Sequence, residues 1–221
     1  IPEETTEEIP LLYTLELGND SSANFSLISN GTFTMGSPTE EIGRYTEMTY
    51  GIDEEQYEVT LTQDFYVLTT EVTQGMFEEL MNYDSRDGES ANYGTGTNRP
   101  AYYSSWHMAA AFANSMTGKH NINYGINLDM CYQCEGEGTS VLCSEKMNPY
   151  QCNGYRLLTE AEWEFSARAG STLAMWTPNG GGDLLEDQDE ICSPLSLSDG
   201  TSLSDIGWYC GNAPAAEAQD V

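Results

Sequence analysis

Basic residues are scarce in this sequence. Its 221 residues include 7 lysines and arginines against 36 aspartates and glutamates, which gives a formal net charge of −29. A nucleic-acid backbone and an anionic lipid surface both attract clustered cations, so this balance excludes the usual proteins that bind either of them. The sequence also lacks an apolar run approaching the roughly 18 residues that cross a bilayer. We therefore expect no nucleic-acid partner and no membrane span.

Histidine is also scarce, since the chain has only His107 and His120. Neither is placed at a metal-ligand spacing, and two isolated histidines support no Ser/His/Asp arrangement. We interpret both as surface or supporting residues, with His120 in a loop.

Aromatic residues, in contrast, make up 11% of the chain, more than an acidic disordered sequence carries. The length fits one domain with its own core. The N-terminal sequence, Ile1-Pro2-Glu3-Glu4, has neither an initiator methionine nor a basic region, so it is typical of a processed end. We expect a secreted protein, located outside the cell or at its surface.

The chain divides into an acidic lead with one added strand (residues 1–24) and a main domain (residues 25–221). Strands are predicted at 11–17, 31–35, 57–61 and 65–68 from their apolar alternation. Helices are predicted after Thr73, near Ser104 or Ser105 up to Gly118, and after Thr159. Short strands, three helices and long loops predict an α+β fold.

The third helix has the clearest start signal. Thr159 and Glu162 form a capping box, and Leu158 and Trp163 occupy the hydrophobic-staple positions, which predicts Trp163 as a core anchor. Capping, and pairing of Glu164 with Arg168, explain the three glutamates of this helix, Glu160 included, better than acid/base catalysis does.

Five segments carry recognisable motifs in order: 31–37 (G-T-F-T-M-G-S), 65–74, 99–106, 154–170 and 207–212. The most specific is 154–170, which includes Arg156, Thr159, Glu162, Trp163 and Arg168. Together they resemble the formylglycine-generating enzyme (sulfatase-modifying factor) family, which has proline at the position of Leu158. The resemblance implies an irregular, loop-rich formylglycine-generating-enzyme-like fold related to C-type lectin domains, incomplete here at its C-terminal end.

The resemblance also implies a copper-thiolate oxidase, with two cysteines that follow a G-N-V-W-E-W block. Neither the block nor the pair occurs up to Val221. We therefore predict a non-catalytic binding or assembly module. Its partner would be a protein or glycan surface, or a second copy, met by loops such as 92–98. The alternative is a copper-dependent oxidase whose catalytic cysteines lie beyond residue 221 or on another chain.

Six cysteines leave three interpretations open. Disulfides suit their even number and loop context, whereas Cys131-x-x-Cys134 resembles half of a zinc site, and a redox or copper site needs thiolates near cations. Pairing of Cys192 with Cys210 would close a loop rich in serine, leucine and aspartate. The six cysteines are Cys131, Cys134, Cys143, Cys152, Cys192 and Cys210.

An acidic run follows three glycines at 180–182. Calcium prefers several carboxylate and carbonyl oxygens on a flexible backbone, so the run indicates a calcium site, although it lacks the EF-hand spacing. A solvated loop is the alternative. The predicted ligands are Asp183, Asp187, Asp189 and Glu190.

Overall fold

The computed structural model describes residues 10–19, 21–44, 54–88, 93–185 and 194–213. These residues form an α+β fold, as the sequence predicts. The strands are β1 Leu12–Gly18, β2 Ser21–Ile28, β3 Gly31–Met35, β4 Tyr57–Leu61, β5 Phe65–Leu68, β6 Tyr132–Glu135 and β7 Leu142–Glu145. The helices are α1 Gln74–Met81, α2 Trp106–Tyr124 and α3 Glu160–Arg168. None of the described helices is long and apolar enough to span a membrane.

Three antiparallel sheets organise the strands. The first has the order β1-β2-β5, and the others are the hairpins β3-β4 and β6-β7. In β1 the alternation predicted from sequence buries Leu15 and Leu17 and leaves their neighbours nearer to solvent. These two leucines form the part of the core under the first sheet.

β2 is a strand that the sequence does not predict, because its serines and asparagine mask the alternation of Ala23 and Phe25, which are buried. It crosses residue 24, where the sequence divides into lead and main domain. Its turn from β1 uses Gly18 at φ +127°, and a Cβ there would lie 2.5 Å from Glu79 Oε1. Only glycine fits this position without strain.

α2 is longer than the sequence predicts. Ser105 caps its start, as expected, but the helix continues through Gly118 and ends at Gly125. An interior glycine costs about 1 kcal/mol and does not stop a helix whose later turns have tertiary contacts. Asn123 Nδ2 donates to the Glu16 carbonyl of β1 at 2.8 Å. His120 consequently lies in the helix, and the prediction of a loop position is wrong.

Two disulfides hold the insert between α2 and α3. Cys134 joins Cys143 across the β6-β7 pair, and Cys131 joins Cys152. The four thiols therefore form no zinc site, and the disulfide interpretation is confirmed for them. In the loop-entropy picture each bond stabilises the fold by about 3 kcal/mol. Cys210 is also disulfide-bonded, and Cys192 lies outside the described residues.

α3 begins at the predicted capping box, in which the Thr159 hydroxyl accepts from Glu162 N–H and the Glu162 carboxylate accepts from Thr159 N–H. The same carboxylate is buried and accepts hydrogen bonds from both terminal nitrogens of Arg156, each at 2.7 Å. Burial alone would raise the pKa of Glu162, but Arg156 and Thr159 outweigh it, so the pKa lies below its ordinary value. An ionised carboxylate is thus the innermost group of the helix.

The segment that carries Arg156 passes very close to the backbone that follows α2. A Cβ at Gly154 would lie 2.0 Å from the Asp129 carbonyl oxygen, so only glycine permits this contact between the two backbones. Tyr155 N–H donates to the Thr117 hydroxyl of α2 at 3.0 Å. The segment therefore fixes the position of α3 relative to α2.

A partly buried polar cluster joins β1, α2 and this segment. The hydroxyls of Tyr13 and Tyr155 lie 3.0 and 2.9 Å from His120 Nδ1. Burial raises the pKa of Tyr13 and raises that of Tyr155 to about 12, and it lowers the pKa of His120. The folded protein therefore favours neutral forms of all three groups.

Removing Arg156 should strongly destabilise the protein. Arg156→Met leaves the buried carboxylate of Glu162 without its charge partner, which costs about 3–5 kcal/mol. Lys146→Met removes an exposed cation and is the matched control. Urea unfolding monitored by circular dichroism measures both, and equal free energies of unfolding for the two variants would contradict this role of the ion pair.

Protonation of His120 should destabilise the fold. The unfolded chain titrates near 6.5, whereas the folded pKa is lower, so the contribution of neutral His120 is complete above about pH 6.5 and lost as the pH falls toward the folded pKa. The free energy of unfolding of His120→Gln should therefore decline less than that of the wild type over this interval. Asn123→Gln, on the same helix, should retain the wild-type slope. Identical slopes for wild type and His120→Gln would refute this role.

Candidate functional site

A groove of about 1130 Å³ lies between the β3-β4 hairpin, α3 and two C-terminal segments. The segments are 174–176, which an antiparallel bridge from Met175 joins to Gly182, and 203–207, which Leu203 N–H anchors to the Leu195 carbonyl. We call this the aromatic groove. Its lining residues are Met35, Gly36, Ser37, Glu41, Glu54, Glu55, Tyr57, Glu160, Trp163, Glu164, Ala167, Arg168, Ala174, Met175, Trp176, Leu203, Ile206 and Gly207.

Polar bonds fix α3 against the hairpin at the base of the groove. Arg168 Nε donates to Glu164 Oε1 at 2.7 Å, in the pairing that the sequence predicts. Gly36 N–H donates to the same oxygen, and its carbonyl accepts from Arg168 Nη2, both at 2.9 Å. Beside these bonds, the rings of Phe33 and Phe165 pack edge to face with centroids 5.3 Å apart. The helix and the hairpin therefore form a preorganised frame.

Three aromatic side chains of the lining remain in solvent. Trp163 is 63% exposed, Tyr57 56% and Trp176 44%. The prediction of Trp163 as a core anchor is wrong, because the helix buries its neighbour Glu162 instead and so turns Trp163 outward. Large exposed rings grouped in one concavity are typical of binding sites.

Carboxylates line the same groove, whose described lining residues include five glutamates and one cation, Arg168. Arg44 adjoins this lining, since its Nε donates to the Ser37 carbonyl at 3.1 Å. Glu54 accepts from the Ser37 hydroxyl at 2.9 Å, and Glu164 is bound as described. The carboxylate of Glu160 has no partner among the described residues, so capping and pairing do not explain this glutamate as the sequence predicts. It lies at the first turn of α3, where a negative charge is favourable. The groove combines aromatic rings with an excess of carboxylates.

A second hollow, of about 760 Å³, lies between β5, α2 and residues 150–158. Its walls include Phe25, Phe77 and Phe112, which belong to the hydrophobic core. It presents none of the strongly exposed rings found in the aromatic groove. The aromatic groove is therefore the better candidate site.

The loop predicted as a recognition surface, residues 92–98, is described from Tyr93 onward. Its backbone is held by buried Gln74, whose side chain bonds Gly94 O and Gly96 N–H. The rings of Tyr93, Tyr102 and Tyr103 pack against one another with centroids 5.4–6.0 Å apart. The aromatic rings of this surface pack against one another, and recognition by it stays a prediction.

The predicted calcium site is described only at Asp183, whose carboxylate accepts from Ala174 N–H at 2.9 Å and whose N–H donates to Ser198. Asp187, Asp189 and Glu190 lie outside the described residues. Calcium binding stays a prediction.

His107, which the sequence predicts as a surface or supporting residue, is half-buried, and its Nδ1 accepts from Cys143 N–H at 3.0 Å.

The family of the chain follows from its sequence. Residues 16–191 match the sulfatase-modifying factor enzyme 1-like domain, so the protein belongs to this family. The predicted resemblance is thereby confirmed.

Two relatives show how far the likeness extends. The chaperone protein LppX of Paenibacillus barcinonensis is 30% identical over 125 residues, which are 55% of this chain and 42% of that protein. The chain thus spans less than half of this relative. Variable protein 1 of Treponema denticola has the same fold, with a TM-score of 0.53 and 21% identity over 82% of this chain and 62% of that structure. PvdO from Pseudomonas aeruginosa matches less well, with a TM-score of 0.44 and 21% identity over 74% of this chain and 53% of that one.

Trp163 should contribute little to stability. Because its ring is mostly in solvent, Trp163→Ala should change the free energy of unfolding by less than about 1 kcal/mol. Phe112→Ala, in the core, should cost about 3–5 kcal/mol. Thermal and urea unfolding measure both, and a loss at Trp163 as large as that at Phe112 would contradict the outward placement of the ring.

Proposed function

We propose that this protein is an extracytoplasmic, non-catalytic binding module of the sulfatase-modifying factor family, and that the aromatic groove is its binding site. The observation that carries the proposal is the grouping of three exposed or half-exposed aromatic side chains, Tyr57, Trp163 and Trp176, in one groove. Aromatic rings supply large contact areas at a small entropic cost, so they are enriched where proteins bind partners. The frame made by Glu164, Arg168 and Gly36 holds the groove open before a partner arrives.

The state of the cysteines supports a role without thiolate chemistry. A copper-dependent oxidase, the alternative, would need two free thiolates from beyond residue 221 or from another chain, because none of the described cysteines is free. Cys131, Cys134, Cys143 and Cys152 are paired with one another, and Cys210 is disulfide-bonded too. Disulfides persist in oxidising compartments, which supports a location outside the cytoplasm.

The names of two relatives support a non-catalytic role. One is named a chaperone protein and the other a variable protein, and neither name denotes an enzymatic reaction. Because the chain covers less than half of the first and 62% of the second, a non-catalytic role is a proposal for this chain.

Selection of ligands tests the groove directly. A phage-displayed library of random dodecapeptides and an array of neutral and charged oligosaccharides should each be screened with the wild type. We expect ligands that bind the wild type and lose at least tenfold in affinity on the double variant Trp163→Ala/Trp176→Ala. Trp106→Ala, which removes a half-exposed tryptophan outside the groove, is the control and should bind normally.

Two results would count against the proposed function. One is the selection of ligands that bind the wild type and the double variant equally well, because their site would lie elsewhere. The other is the absence of any specific ligand from both collections, provided that circular dichroism shows the proteins folded.

A further inference from the structure

We propose that the aromatic groove binds an extended polypeptide segment that presents arginine or lysine side chains. This inference rests on the proposed function, since it names the ligand class of the same site. Its basis is the juxtaposition of exposed rings with carboxylates that no described residue neutralises.

The charges of the groove are available to a ligand. The carboxylates of Glu41, Glu55 and Glu160 form no hydrogen bond or ion pair with any other residue in the described part of the chain. Arg44 places one cation beside the lining, against four glutamates besides Glu164. Arg168 does not compensate them, because its guanidinium is paired with the carboxylate of Glu164. Nε donates to Glu164, Nη1 to the Leu173 carbonyl and Nη2 to the Gly36 carbonyl. The lining therefore faces a ligand with a clear excess of negative charge.

The aromatic rings favour ammonium and guanidinium groups over metal ions. The face of a tryptophan or tyrosine attracts an ammonium or guanidinium group, and the planar guanidinium also stacks on the ring. Trp163 and Glu160 lie on the same helix, and Tyr57 lies two residues after Glu55, so rings and carboxylates are interleaved. A metal ion would gain nothing from the rings, because calcium and magnesium prefer oxygen ligands. A neutral sugar would leave the carboxylates unpaired.

The size of the groove favours a polypeptide over a small amine. Pockets for small ligands have volumes of about 300–1000 Å³, and this groove reaches about 1130 Å³. Its charges are spread over the hairpin, α3 and the loop at Glu41. A segment with several cationic side chains can meet all of them at once, whereas a single ammonium group meets one.

A matched pair of peptides tests the inference. The first is a ten-residue peptide with three arginines separated by glycine and serine, and the second replaces each arginine with neutral citrulline. Titration calorimetry should show binding of the arginine peptide to the wild type, with an affinity at least tenfold higher than that of the citrulline peptide. Raising sodium chloride from about 50 to 300 mM should weaken this binding, since salt screens the charges.

Paired variants separate the groove from the general charge of −29. Glu160→Gln and Glu137→Gln remove one negative charge each, inside and outside the groove. Trp163→Ala and Trp106→Ala remove one ring each in the same way. The arginine peptide should bind about threefold more weakly to Glu160→Gln and about tenfold more weakly to Trp163→Ala. It should bind to Glu137→Gln and Trp106→Ala as it does to the wild type.

The possible failures are distinguishable. Equal losses for Glu160→Gln and Glu137→Gln would overturn the inference, because binding would then follow net charge alone. Equal affinities for the arginine and citrulline peptides would overturn it too, as would tighter binding of the polyamine spermine than of the peptide. If the arginine peptide does not bind while neutral selected ligands need Trp163, the inference fails and the proposed function stands. If no ligand needs Trp163 or Trp176, both fail.

Discussion

The buried carboxylate of Glu162 is the constraint on which the rest of the structure depends. Arg156 neutralises it, Thr159 caps α3 through it, and both are in one short stretch of chain. Since a buried charge tolerates little displacement from its partners, the rotation of α3 about its axis is fixed. That rotation turns Trp163 into solvent and directs Glu164 to the β3-β4 hairpin. The groove follows from a polar anchor rather than from hydrophobic packing of the helix.

Much of the fold is readable from local signals. Thr73, Ser105 and Thr159 each cap a helix as predicted, because capping depends on residues within one turn. The strands with regular alternation were also predictable. β6 and β7 were not, since they are short, polar and held by a disulfide whose pairing sequence alone leaves among several possibilities.

The candidate site was less predictable, for a physical reason. The staple pattern around Thr159 assigns Trp163 to the interior, because apolar residues are usually buried and glutamates are not. The ion pair between Arg156 and Glu162 buries the glutamate and leaves Trp163 outside. The strength of this ion pair depends on its burial by segments that are distant in sequence, so a local pattern does not predict it. The groove also needs residues 174–176 and 203–207 to reach α3, which no local pattern encodes. The acidic composition predicts no nucleic-acid or lipid partner, and it agrees with a cationic ligand.

The aromatic groove, and no other surface, is proposed to bind a cationic segment through Trp163 and Trp176. Proton–nitrogen NMR spectra resolve the indole N–H signals of the four tryptophans separately. On addition of the three-arginine peptide, the signals of Trp163 and Trp176 should shift progressively and saturate together, while that of Trp106 stays in place. Shifts confined to Trp106, or no indole shift at saturating peptide, would contradict the account.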